Sequence, residues 1–398
     1  MSILSGIRIL DFTHYISGPY CSQILSDHGA DVIKIERIEG EVGRIAGPFH
    51  EDTSLYFAAQ NRNKRGLSID LKSEQGREII HRLIKTADLL ITNYGAGVPE
   101  RLGIDYQTIS EINPKISMVH ITGFGLTGPY KNYGAYDGTI QAMSGLAELT
   151  GHMDGPPTNV GFYIADHLSG LQAAMGAMLA LVHKERTGTG KYVDVSMLDG
   201  MLSLLGYHFS EVMLKGIEPQ RIGNRDPLAF CNTYPTKDGY IFIAPAAQHM
   251  WEKLCRIIGK NEWLNSDSPF NSKEGRMENR DVLEKMVSEW TIQYTKEEVF
   301  QLLQNAGIAC GPVNTLIDII NNPQIKDRNM VQKMNMGEQG DAVFVTGVPI
   351  KINDTNVQKF SPPPAIGEHS DEILAELGYS MEEIERYLAL GVVSSAKK

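Results

Sequence analysis

Two rhythms of apolar and polar positions run through the first third of the chain. Ile7 to Phe12 is a short, nearly continuous apolar run, the pattern of a buried strand. Pro19 to His28 spaces its apolar residues as a helix does, with proline in the first turn, and Asp31 to Glu36 (DVIKIE) reads as a second strand. This βαβ unit is followed by strand Leu67–Leu71, helix Glu74–Thr86 with Ser73 as its N-cap, strand Asp88–Asn93, helix Pro99–Ile112 and strand Ile116–Thr122. Strands alternating with helices of this length predict an α/β fold with a doubly wound, largely parallel (Rossmann-like) sheet.

Beyond Gly123 the rhythm breaks. GFGLTGPYKNYGAYDG is rich in turn formers and leads into the small-residue stretch TIQAMSGLAELTG. A long loop inside a compact domain is more often functional than idle. Asp166 to His183 predicts one apolar helix whose many small residues let another element approach closely, followed by strand Tyr192–Met197 and helix Asp199–Lys215. At Gly216–Asp226 composition shifts to charged and turn-forming residues, which marks a domain crossing. The segment CNTYPTKDGYIFIAP, with Asp238-Gly239 as a hairpin turn, and helices near Met250–Ile258, Arg280–Tyr294 and Lys296–Asn305 predict a smaller α+β domain. It ends at Cys310-Gly311-Pro312-Val313 and a short helix to Asn321. The strand pattern DAVFVTGVPIKI, the Pro362–Pro364 turn and a helix Ser370–Leu377 predict a return to the large domain before a mobile SSAKK tail. The domain reading is therefore 1–215 and 330–398 for the large domain and 227–325 for the small one.

A chain of 398 residues exceeds the usual reach of one hydrophobic core, in keeping with two unequal domains. No stretch approaches the roughly 20 apolar residues of a membrane span, and MSILSGIRILDF lacks the basic start and cleavage site of a signal peptide. Four scattered cysteines without a CxxC pair fit reduced thiols in a cytoplasmic protein, and there is no HExxH, so no metal or redox cofactor is implied. A formal charge of -11 disfavours nucleic acid as a partner, so any polyanionic ligand must meet a focused basic pocket.

Two phosphate-loop lookalikes have the wrong surroundings. Gly123 to Gly128 spells GxGxxG after a strand, but Pro129, Asn132 and Gly134 prevent the helix that must start at once to face a pyrophosphate. Gly188-Thr189-Gly190-Lys191 lies between a helix and a strand, the reverse of P-loop order, and reads as a helix C-cap and turn.

Ordered motifs along nearly the whole chain carry a family resemblance. They are LDFTHYISGPYCSQILSDHGADVIKIER, NRNKRGLSIDLKSEQG, ITNYGAGVPERLGIDY, ITGFGLTGPY, GAYDGTIQAMSG, GFYIADHLSGL, GTGKYVDVSMLDG, CGPV and PPPAIGEHSDEIL. In these the chain resembles the class III CoA-transferases, which include formyl-CoA:oxalate and carnitine CoA-transferases. The resemblance implies transfer of coenzyme A from an acyl-CoA donor to a carboxylic acid acceptor, with coenzyme A as substrate, no tightly bound cofactor and an interlocked homodimer. The family's nucleophilic aspartate falls on Asp166, which on local grounds alone reads as the cap of the helix it begins. At a helix N-terminus the partial positive charge favours an ionised carboxylate. For coenzyme A the resemblance implies His14, Ile16 and Ser17 in a loop along the ligand, Arg37, Lys72 and Arg101 on its phosphates, Asn93 and Tyr94 flanking the adenosine, and Ile69 as a further binding residue. Tyr136 is implied near the thioester. Without the resemblance, the three cations read as solvated surface charges.

CoA-ester racemases share the fold and are the alternative reading. Their histidine falls in a GHD-type motif where this chain has Ala135-Tyr136-Asp137, so the imidazole that works near neutral pH is missing. A non-catalytic CoA-binding protein is a third reading. No GGGG-type loop occurs between Gly206 and Ala247, which argues against oxalate as acceptor, and Arg221 and Arg225 are candidates for pairing with a dicarboxylate.

Overall fold

A computed structural model describes residues 2–336, 342–353 and 360–396. Asp341 of the predicted DAVFVTGVPIKI pattern and the last two residues of the SSAKK tail, Lys397 and Lys398, lie outside these. Contacts divide the chain into two units: residues 1–146, 159–215 and 327–398, and residues 147–158 with 216–326.

The larger unit is built on strands β1 (Arg8–Phe12), β2 (Asp31–Glu36), β3 (Arg65–Ile69), β4 (Leu89–Thr92), β5 (Ser117–Thr122), β6 (Tyr192–Ser196) and β7 (Val393–Ser394). Their order is β7-β3-β2-β1-β4-β5-β6. The first six strands are parallel, in the doubly wound order that reverses direction between β1 and β4, and β7 closes one edge antiparallel, pairing Val393 with Ile69. The central strands are buried on both faces, which is why they read as continuous apolar runs.

Helix α1 (Ser17–Asp27) follows β1, and the long helix α3 (Ile164–Thr187) packs along it. Gly170 permits the approach, since a Cβ there would stand 2.6 Å from the carbonyl oxygen of Ser17. The buried side of α3 is accordingly Ala165, Ser169, Gly170, Ala173 and Ala177, while Leu171, Met175, Leu179 and Val182 stay exposed. Helix α2 (Asp137–Met143), which the sequence reading left within a small-residue stretch, precedes α3. The predicted helices Pro99–Ile112 and Asp199–Lys215 are each two, Val98–Leu102 with Tyr106–Ile112 and Met197–Leu204 with His208–Lys215. Gly103, left-handed at φ 69°, ends the first of these, and Asp105 caps the next by accepting from the Thr108 N–H.

The carboxyl end of β1 carries a buried charge network. Lys64 Nζ donates to Asp11 Oδ2 at 2.9 Å, to Asn61 Oδ1 and to the Pro19 carbonyl, and both ionic side chains are fully buried. Ser22 Oγ donates to the same carboxylate at 2.6 Å, while Asp11 Oδ1 accepts from the Thr13 N–H and hydroxyl. Burial alone would raise the Asp11 pKa, but Lys64, Lys34 and the hydrogen bonds from Ser22 and Thr13 together outweigh it and hold the carboxyl down to about 2. Burial pushes Lys64 down to about 8 against the pull of Asp11.

In the smaller unit, strands 232–236, 239–244 and 309–312 form an antiparallel sheet with the middle segment central. Helices Gln248–Ile257, Arg280–Thr291 and Lys296–Asn305 cover it around Tyr234, Ile241, Leu283 and a stacked Trp251–Trp263 pair.

Removing one partner of a buried ion pair leaves the other charge uncompensated. Lys64→Met should therefore lower stability by about 3–5 kcal/mol in urea unfolding at neutral pH. A loss below about 1 kcal/mol would mean the pair does not hold the carboxyl end of β1.

Candidate active site

Open α/β sheets bind ligands beyond the carboxyl ends of their strands, where the strand order reverses. Here that point lies between β1 and β4, and the segments leaving the two strands are tied together. Asn93 Oδ1 accepts from the His14 N–H at 2.9 Å, and Asn93 Nδ2 donates to the His14 carbonyl and to Ser17 Oγ. Tyr15, between them, has φ 63°, an uncommon conformation for a residue with a side chain and one that clusters at functional loops. His14 packs against Tyr94 with ring centroids 5.3 Å apart. Burial, and then Lys34, lower the His14 pKa to about 4, so its imidazole is neutral at pH 7.

These residues open on a cavity of about 1000 Å³ lined also by Tyr56, Tyr136, Asp137, Tyr163 and Asp166. Asp166 sits in the first turn of α3, yet its carboxylate does not cap the helix. That task falls to Asp137 at the start of α2, whose Oδ1 accepts from the N–H groups of Ala165 (2.7 Å) and Asp166 (3.2 Å). Gln141 Nε2 donates to Asp137 Oδ2 at 2.5 Å, and Gln141 Oε1 accepts from the Val160 N–H. Among the described residues no side chain forms an ion pair with Asp166. Burial, and then the charge of Asp137, raise its pKa to about 7. The expectation that the helix N-terminus keeps this carboxyl ionised is thus corrected, because burial and the like charge of Asp137 push it up.

Of the residues singled out in the sequence, His14, Ser17, Asn93, Tyr94, Tyr136 and Asp166 line this one cavity. Ile16 is buried at the start of α1, and Ile69 is buried in β3 opposite Val393. Arg37, Lys72 and Arg101 do not line the cavity but follow the carboxyl ends of β2, β3 and β4, and so lie along the same edge of the sheet. Arg37 Nε donates to the Gly40 carbonyl and Arg101 Nη1 to that of Gly97, and the Arg101 and Lys72 side chains are exposed. Arg221 and Arg225 are already occupied: Arg221 pairs with Glu148, and Arg225 with Asp281 and Glu284. Tyr56, Asp137 and Tyr163 escaped the sequence reading as site residues, while Tyr15 lies inside the expected His14–Ser17 loop without having been singled out. Asp137 lies inside the quoted GAYDG motif, but its bond to another helix's amides has no local signature.

A doubly wound sheet with a half-buried carboxyl group, free of any capping role, at its switch-point cavity is a scaffold for acyl chemistry on a nucleotide-bearing substrate. Residues 4–370 match the model of CoA-transferase family III, and the chain belongs to that family. It is a CoA-transferase enzyme. It is 35% identical over 388 residues to the succinyl-CoA:mesaconate CoA-transferase of Haloarcula hispanica, covering 95% of this chain and 97% of the relative. It is 32% identical to the succinate–glutarate CoA-transferase of Agrobacterium fabrum, covering 96% of each. The crystal structure of a CAIB/BAIF family protein from Brucella suis superposes with a TM-score of 0.85 at 34% identity, covering 94% of this chain and 99% of that one. Relatives of this kind do not favour the racemase reading.

The Asp166 carboxyl titrates near 7 in the folded chain against an ordinary 3.8. The folded state therefore holds an extra proton between those values, and stability falls as pH rises from about 4 to about 7. Asp166→Asn removes this penalty, so near pH 8 the variant should be more stable than the wild type by about 1–3 kcal/mol, with the gap closing toward pH 4. Urea unfolding at the two pH values checks this; a gap independent of pH would contradict the assignment.

Proposed function

We propose that the enzyme moves coenzyme A from an acyl-CoA to a small carboxylic acid through covalent intermediates on Asp166. The observation that carries this reading is a carboxylate left uncapped at the head of α3, facing a cavity, while another residue caps the helix. A carboxylate oxygen of Asp166 attacks the thioester carbonyl; a C–O bond forms, the C–S bond breaks, and CoA thiolate leaves a mixed anhydride. The thiolate then attacks the aspartyl carbonyl, forming a C–S bond and expelling the donor as its carboxylate. The acceptor carboxylate attacks this aspartyl-CoA thioester and displaces the thiolate, which recaptures the acceptor acyl group and restores Asp166. One difficult exchange becomes several easier ones, and the thioester's energy is conserved on the enzyme.

Coenzyme A runs along the switch-point edge, with His14, Ile16, Ser17, Ile69, Asn93 and Tyr94 around it. Arg37, Lys72 and Arg101 meet its phosphates, which supplies the focused basic strip an acidic chain needs. Tyr136 stands at the thioester end. The relatives named for mesaconate and glutarate support dicarboxylic acids as acceptors and succinyl-CoA as donor. The exposed apolar stripe of α3 (Leu171, Met175, Leu179, Val182) supports a homodimer, since a lone soluble chain rarely leaves such a patch uncovered. Free cysteines fit a cytoplasmic setting.

Incubating the protein with succinyl-CoA and a panel of carboxylic acids should yield new CoA thioesters by mass spectrometry, with dicarboxylic acids preferred. Asp166→Ala should lower turnover by about 10³-fold or more. Because only the ionised nucleophile attacks, wild-type activity should fall about tenfold per pH unit below about 7. Undiminished transfer by Asp166→Ala would overturn the reading.

A further inference from the structure

Asp137 does more than close a helix. We propose that it is a positioning residue whose negative charge, held against the first turn of α3, drives Asp166 toward its covalent states. The inference rests on Asp166 being the nucleophile. Its geometric basis is a carboxylate clamped on both sides: Oδ1 accepts from the backbone of Ala165 and Asp166, and Oδ2 is held by Gln141, which is itself fixed by the Val160 N–H. Asp137 is buried and forms no ion pair among the described residues, so its charge is neither well solvated nor neutralised.

The groups facing Asp166 from its surroundings are few. From α2 comes Asp137; from the helix Leu55–Asn61 comes Tyr56; ahead of α3 stands Tyr163. His167, on the same turn, points its Nδ1 at the Tyr163 carbonyl and its Nε2 at Gln60. Glu41 acts on Tyr56 rather than on Asp166. Asp137 is therefore the one charged neighbour that acts on the nucleophile among the described residues.

A like charge on the side chain that accepts from the Asp166 amide disfavours the anionic form of Asp166 against every form in which that charge is gone. Protonation is one such form. The aspartyl-CoA thioester is another: in Asp166–COO⁻ + RCO–SCoA ⇌ Asp166–CO–SCoA + RCOO⁻ the negative charge leaves the enzyme with the donor acid, and the repulsion is relieved. The same free energy enters both equilibria. Hence any change in Asp137's charge must move the acid limb of the pH profile and the covalent adduct equilibrium by matching amounts.

The test uses the full-length protein and Asp137→Asn, whose side-chain oxygen can still accept from the α3 amides. Two readouts are taken: the acid-limb midpoint of transfer from succinyl-CoA, and the adduct equilibrium constant from intact-mass spectrometry with succinyl-CoA at fixed free succinate and no acceptor. Asp137→Asn should move the acid limb down by about one pH unit and lower the adduct constant about tenfold. If that variant does not fold, Asp137→Glu keeps the charge and alters the cap. It should leave the acid limb in place while turnover falls, and a downward shift there would overturn the proposal. Equally, an adduct constant in Asp137→Asn equal to that of the wild type would overturn it. A wild type that forms no adduct at all would instead remove the nucleophile assignment on which the proposal rests.

Discussion

A helix begins with amide N–H groups that have no partner within it, and something nearby must accept them. In α3 two of these amides, those of Ala165 and Asp166, are taken by Asp137, a residue of α2. Asp166 occupies the first turn, where aspartate ordinarily serves the helix, and is released from that service. Its carboxylate is left in the cavity, desolvated and next to a like charge, and both effects raise its pKa to about 7. A carboxylate made more basic in this way is a better nucleophile when ionised, and losing its charge on acylation is favourable rather than costly.

The His14 side of the cavity depends on a second buried charge arrangement of contrary character. Asp11 at the end of β1 is matched by Lys64 and by the hydroxyls of Ser22 and Thr13, so its carboxylate stays ionised and fixes the turn that leads into His14. Asn93 then locks that turn to the segment leaving β4. One carboxylate, fully paired, builds the switch-point crevice; the other, unpaired, faces it. Two aspartates in one domain thus hold different tasks because their surroundings push their pKa values in opposite directions.

Much of the larger unit is legible in the sequence because parallel strands buried on both faces leave continuous apolar runs. Strands β1 to β5 fall where those runs lie, whereas the edge strand β6 is exposed at Tyr192 and Asp194. The two-residue β7 leaves no pattern at all, and its pairing with Ile69 is a property of the folded sheet. The helix Met381–Ala389 was missed although Ser380 and Glu383 spell a capping box before it. Helix α2 was missed because its N-cap Tyr136 and its second residue Gly138 sit in a run of turn formers. For the site, motif resemblance located the segments His14–Ser17, Asn93–Tyr94 and Asp166, and the fold brings those onto one cavity. It could not reveal that Asp137 rather than Asp166 caps α3, because that bond joins residues 28 and 29 positions apart.

In the proposed mechanism Asp166 is bonded to the acceptor during each turnover, and passage of an acceptor oxygen onto this residue reports that bond. If the acceptor's carboxylate is labelled with heavy oxygen and turned over with succinyl-CoA in ordinary water, anhydride formation and its opening by CoA thiolate leave one labelled oxygen on the nucleophile. Peptide mass spectrometry should then find heavy oxygen in the Asp166 side chain and in no other carboxylate. After many turnovers, an Asp166 peptide of unchanged mass would contradict the account, since transfer would then have proceeded without a bond between this residue and the acceptor.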